Sequence, residues 1–86
     1  MEKEIVYFTM HPLKMVIATR PQTGSAIIFK NKQKVWAVSS IDYYQISSDG
    51  SYSVISQEQA QSVFGNIPPD TALLDRIDSI NMGVIK

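Results

Sequence analysis

The apolar positions of the first half of the chain fall in short β-rich runs, several of them apolar on both faces. Glu4–Met10 is dense in β-branched and aromatic residues and reads as a strand, interrupted by His11-Pro12 because proline removes a ladder donor. Leu13–Thr19 alternates, with Leu13, Met15, Ile17 and Thr19 on one face and Lys14, Val16, Ala18 and Arg20 on the other. Pro21-Gln22-Thr23-Gly24 has turn chemistry. Ser25–Lys30 and Lys34–Ser39 are two further β-rich runs around Asn31-Lys32-Gln33, the pattern of a hairpin.

The pattern predicts a second hairpin from Asp42–Ser47 and Ser51–Ile55. A two-residue Asp49-Gly50 turn segregates neither face. A three-residue loop at Ser48-Asp49-Gly50 sets Tyr44 against Val54 and Ile46 against Tyr52, with Gln45 and Ser47 opposite Ser53 and Ser51. In that register Tyr44 and Tyr52 belong to the core and Tyr43 points outward.

The period then becomes helical. Ser56-Gln57-Glu58-Gln59 is a capping box, Ile55 can staple onto Ala60, and Val63 and Phe64 follow at helical spacing before Gly65. Pro68-Pro69-Asp70 opens a second helix, with Asp70 as its N-cap. Leu73, Leu74, Ile77 and Ile80 form one stripe, and Asp75, Asp78 and Ser79 face water. Gly83 is expected to end it, leaving Val84-Ile85-Lys86 as a short strand or loose end.

Strands in a run followed by helices define an α+β class. The expectation is a single domain over residues 1–86: an antiparallel sheet of about five to six short strands, open, curled or barrel-like, followed by two short C-terminal helices. Several strands are apolar on both faces, such as Val6 and Phe8 opposite Ile5 and Tyr7, or Trp36 and Val38 opposite Val35 and Ala37. Two short helices cover one face, so the other either curls onto itself or meets a partner.

Composition narrows the function classes. Cysteine is absent, which removes disulfides, thiolate nucleophiles and Cys-based metal sites. Each apolar run is about four residues long where a membrane span needs about 20, and no signal-peptide pattern is present, so a cytoplasmic protein without a membrane partner is expected. The net charge is zero, but five cations and no carboxylate lie between Ile5 and Ile41, and six carboxylates with Arg76 alone lie between Asp42 and Asp78. Such a split can steer association, unless the halves interleave in space.

Candidate chemistry is sparse. His11 is the only histidine and has no partner recognisable by spacing. Asp70, Asp75 and Asp78 are too few for a hard cation and read as a cap and a solvated face. No nucleotide-binding loop, nucleophile elbow or zinc motif occurs, and no catalytic residue, metal or cofactor is assigned. The expected function is a non-catalytic interaction, regulatory or accessory protein that binds a protein partner, or itself as a homo-oligomer, through a sheet face. Trp36, Tyr43 and Tyr7 are its candidate contacts. The alternative is a nucleic-acid binder using Arg20, Lys30, Lys32 and Lys34 around a basic hairpin, against which the neutral charge and a pI near 6.5 count.

Overall fold

The protein, seen in a computed structural model, is described at residues 4–10 and 15–85, with side chains through residue 80. Five strands form one antiparallel sheet: β1 (Val6–Met10), β2 (Val16–Arg20), β3 (Ser25–Lys30), β4 (Val35–Val38) and β5 (Tyr52–Ile55). Their spatial order is β4-β3-β2-β1-β5, a meander with the last strand added beside the first. Helix α1 (Tyr43–Ser48) lies between β4 and β5, and α2 (Gln57–Phe64) and α3 (Thr71–Ile85) follow. The expected α+β arrangement is present, and the sheet stays open with β4 and β5 as its edges.

The two-faced apolar strands produce two cores. Tyr7, Val16, Ala18, Ile27 and Phe29 face α2 and α3 and pack with Ala60, Phe64 and Leu74. On the reverse face Phe8, Ile17 and Ala26 pack with Ile46 of α1. Ile17, Ile27, Ile46 and Leu74 are among the largest fully buried side chains, each worth about 1.5–3 kcal/mol of burial. The pairing of Tyr7 with Ala18, Ala18 with Ile27 and Ile27 with Val38 keeps one face in register across four strands.

Helix α1 corrects the second predicted hairpin. Tyr43–Ser48 is helical because Asp42-Tyr43-Tyr44-Gln45 is a capping box: the Asp42 side chain accepts from the Gln45 N–H, and the Gln45 side chain accepts from the Asp42 N–H. A cap of this kind contributes about 1 kcal/mol. Its one fully buried side chain, Ile46, seals the face that the helices at the end of the chain leave open. Tyr52–Ile55 is a strand as expected, but it pairs with β1, Tyr7 opposite Ile55 and Met10 opposite Tyr52. That face therefore needs neither a barrel nor a partner to cover its centre.

The later elements follow the caps. Ser56 and Gln59 form the expected box at the start of α2, and Gly65 closes the helix at φ 60. The Asp70 carboxylate accepts from the Leu73 N–H and caps α3. Two expectations about α3 are corrected. It continues past Gly83 to Ile85, so no strand or loose end begins at Val84. Asp78 does not face water but is 3% exposed, because it meets an arginine at the sheet.

Candidate partner interface at the sheet edge

Hydrogen bonding in β4 alternates between its two sides. The Ser39 N–H donates to the Ala26 carbonyl at 3.1 Å, which fixes the phase. Val35 and Ala37 thus direct their backbone groups at β3, and Trp36 and Val38 direct theirs away from the sheet. Val38 is 58% exposed and Val35 48%. Helix α3 flanks this edge. Its Asp75 reaches Arg20 on β2, so the opposite flank, Leu73, Ile77 and Ile80, lies on the β4 side. Ile80 is 59% exposed, and Ile77 shares a cleft with Val38 and Asp42. An open backbone edge and an apolar strip therefore run side by side. A shallow groove of about 630 Å³ continues the strip past Trp36 and Lys34 to Pro68 and Asp70.

Trp36 is half-buried. Its ring sits 5.1 Å from Phe29 and 5.6 Å from Phe64, and its indole N–H donates to the Ile67 carbonyl at 3.1 Å. It forms the wall of the groove, held rigid from behind. Tyr7 is buried against Phe64 at 6.1 Å, and burial pushes its phenol above the ordinary range, so it is a core residue. Tyr43 is half-buried against Phe8 at 6.0 Å. Its neighbour Tyr44 is the exposed one, at 56%, the reverse of the expectation, because a helix rotates successive side chains by about 100° where a strand alternates them. The structure thus brings only Trp36 of the three to the open edge.

The basic candidates separate. Lys30 ends β3 and Lys32 and Lys34 stand on the β3–β4 turn, all three exposed. Arg20 lies at the other end of the sheet, paired with Ser25 at the start of β3, and is 7% exposed. Its guanidinium donates to Asp75 at 2.7 Å and to Asp78 at 2.6 Å. Burial pulls the guanidinium down, but its hydrogen bonds to the two carboxylates and their charges outweigh that and leave it raised. Thr23 donates to Asp78 at 2.7 Å, and Ser25 donates to it as well. This cluster ties α3 to the sheet and interleaves the two charged halves of the chain. It removes Arg20 from any contact with phosphate. His11 and Lys14 lie outside the described residues.

Sequence reasoning missed the edge itself, because strand order is not written in the strands. The signal for Asp78 was available: a carboxylate one turn after Leu74 on the buried side of the helix. Among the described residues no group of three His, Cys, Asp or Glu could hold a metal ion, and no helix is long and apolar enough to cross a membrane. Comparison with family models, curated proteins and solved structures finds no match.

Proposed function

We propose that this is a non-catalytic interaction protein, a small regulatory or accessory subunit that binds protein along the β4 side of its sheet, either a partner or a second copy of itself. The observation that supports the reading is the exposed Val38 on an edge strand whose outward backbone groups meet no other strand among the described residues, beside the apolar flank of α3. Exposed apolar edges are a hazard that proteins otherwise blunt with charge, proline or a covering element. Here the lysines stand at the turn and leave the strand itself bare.

The test compares wild type with Val38→Lys, which charges the edge without entering either core. Each form is sized by light scattering, and each is used as bait to compare the proteins retained. The reading predicts an association weakened at least tenfold by the substitution, a difference of about 1.4 kcal/mol. Identical behaviour of the two forms in both measurements would overturn it.

A second reading, nucleic-acid binding, draws on Lys30, Lys32 and Lys34 crowded around one turn. Three phosphate contacts give a salt slope near −2.7, so binding to a duplex falls about fortyfold between 50 and 200 mM salt. Changing all three lysines to Gln must then abolish binding to labelled DNA and RNA. Unchanged binding, or none by the wild type, eliminates this reading.

A further inference from the structure

We infer that the occupant of the β4 edge is the β4 edge of a second copy, antiparallel about a two-fold axis through Ala37, making one continuous ten-stranded sheet. This inference rests on the interaction reading above and names its partner.

The register follows from the backbone phase. Trp36 and Val38 are the residues of β4 whose N–H and C=O groups point outward. A two-fold pairing satisfies both at once when Trp36 stands opposite Val38 of the second copy. That register makes four new hydrogen bonds and leaves the two Ala37 residues as a non-hydrogen-bonded pair on the axis, about 4.5 Å apart at Cα. Alanine is small enough for that close approach.

The side chains agree with this register. Each exposed Val38 falls beside the Trp36 ring of the other copy, on the helix-bearing face, where Phe29 and Phe64 already brace that ring. The two α3 helices lie antiparallel on that face, and their flanks, Ile77 and the exposed Ile80, face each other across the axis. Charge fits as well. The axis sends the two lysine turns to opposite ends, so like charges are kept apart. Each Lys34 comes over the bend between Ser40 and Asp42 of the other copy, and Asp42 is an exposed carboxylate. A two-fold interface of this kind closes on itself, whereas β4 adding to β5 of the next copy would continue into a fibre.

The experiment uses the absence of cysteine in the chain. Ala37→Cys places the only two thiols of the dimer at the axis, within the 4.4–6.8 Å Cα range of a disulfide. Val35→Cys is the control. In this register it faces Ser39 of the other copy, and the two introduced thiols stand four residues apart, about 13 Å. Both variants and wild type are sized by light scattering, checked for unaltered circular dichroism, and exposed to mild oxidant at micromolar concentration. The expected result is a dimer of every form, with at least tenfold more disulfide-linked dimer for Ala37→Cys than for Val35→Cys.

A stable dimer in which Val35→Cys links as readily, or Ala37→Cys does not link, overturns the register. A mass that climbs steadily with concentration overturns the two-fold axis in favour of β4 on β5. A monomeric wild type that still retains a protein lost by Val38→Lys overturns the second copy as occupant and leaves the interaction reading standing. A monomer that retains nothing sensitive to Val38→Lys removes both.

Discussion

Strand β3 is entered and left by turns of the same construction. Each loop has four residues, Pro21 to Gly24 and Asn31 to Lys34, and its fourth residue has positive φ, 83° in Gly24 and 55° in Lys34. In each the N–H of that residue donates to the carbonyl four positions back, Arg20 or Lys30, at 2.7 Å. The surroundings differ completely. Gly24 is buried under the Tyr44 ring, its carbonyl accepts from the Tyr43 N–H at the start of α1, and its neighbours Thr23 and Ser25 donate to Asp78. The lysine turn stands in solvent. One end of the sheet is thus bolted to two helices, and the other presents charge and mild backbone strain next to an open edge. Closing a hairpin fixes the local geometry of such a turn, and the elements packed on it decide whether the position serves stability or is left available.

The largest expected effect tests the bolted end. Asp78→Ala takes from the Arg20 guanidinium its buried carboxylate and leaves it only Asp75 at the surface, while Nε already lacks a partner among the described residues. Removing one member of a buried pair costs about 3–5 kcal/mol, a large part of the stability of a domain this size. Asp75, 67% exposed at its side chain, holds the same arginine from the surface, and Asp75→Ala is expected to cost below about 1 kcal/mol. Urea unfolding of both variants checks the ranking. Equal losses would mean that the cluster is no more than a surface ion pair and would dissolve the contrast between the two ends.

Next in size is Gly24→Ala. A Cβ there would stand 2.7 Å from Cε2 of Tyr44, and the backbone is left-handed. The conformational share is about 1–2 kcal/mol, and displacement of the ring adds to it. Adding Tyr44→Ala should return the steric share but not the conformational one. A double-mutant cycle by chemical denaturation separates the two, with a coupling above about 0.5 kcal/mol expected for groups in contact. A strictly additive cycle would show that Tyr44 does not press on the turn.

The four strands of the meander were legible as short runs of apolar, β-rich residues between turn residues, and the burial of Val16, Ile17, Ala18 and Ile27 on the two faces of the sheet answers those runs. The caps at Ser56 and Asp70 were legible for the same local reason, a side chain that answers a backbone donor three residues on. Helix α1 was not, although Asp42 and Gln45 carry the same spacing. Tyr43, Tyr44 and Ile46 have strand propensity, and only the packing of Ile46 between Phe8, Ile17 and Ala26 tips a six-residue segment toward helix. The site fared less well. Of the candidate contacts, Trp36 lies on the edge strand β4, whereas Tyr7, Tyr43 and Arg20 are drawn inward by contacts from parts of the chain up to 58 residues away, which no local pattern encodes.

The smallest effect is the one that ties the comparison to function. Lys34 adopts the left-handed backbone that Gly24 supplies without strain, so Lys34→Gly should relieve about 1–2 kcal/mol of conformational energy. Glycine also gives back about 0.5–1 kcal/mol through the greater freedom of the unfolded chain. The net expectation is a gain of about 0.5–1 kcal/mol in urea unfolding, which is the sign opposite to that of Gly24→Ala at the equivalent position. In the proposed dimer the same substitution would remove the charge set against Asp42 of the second copy. A variant that is more stable as a folded chain yet associates more weakly, by a factor of about two to five for an exposed pair, would show that lysine is kept at that position for association and not for the turn. A variant that gains stability and associates as before would assign the lysine no part in the edge, and the contact across β4 would then rest on Trp36, Val38 and the flank of α3 alone.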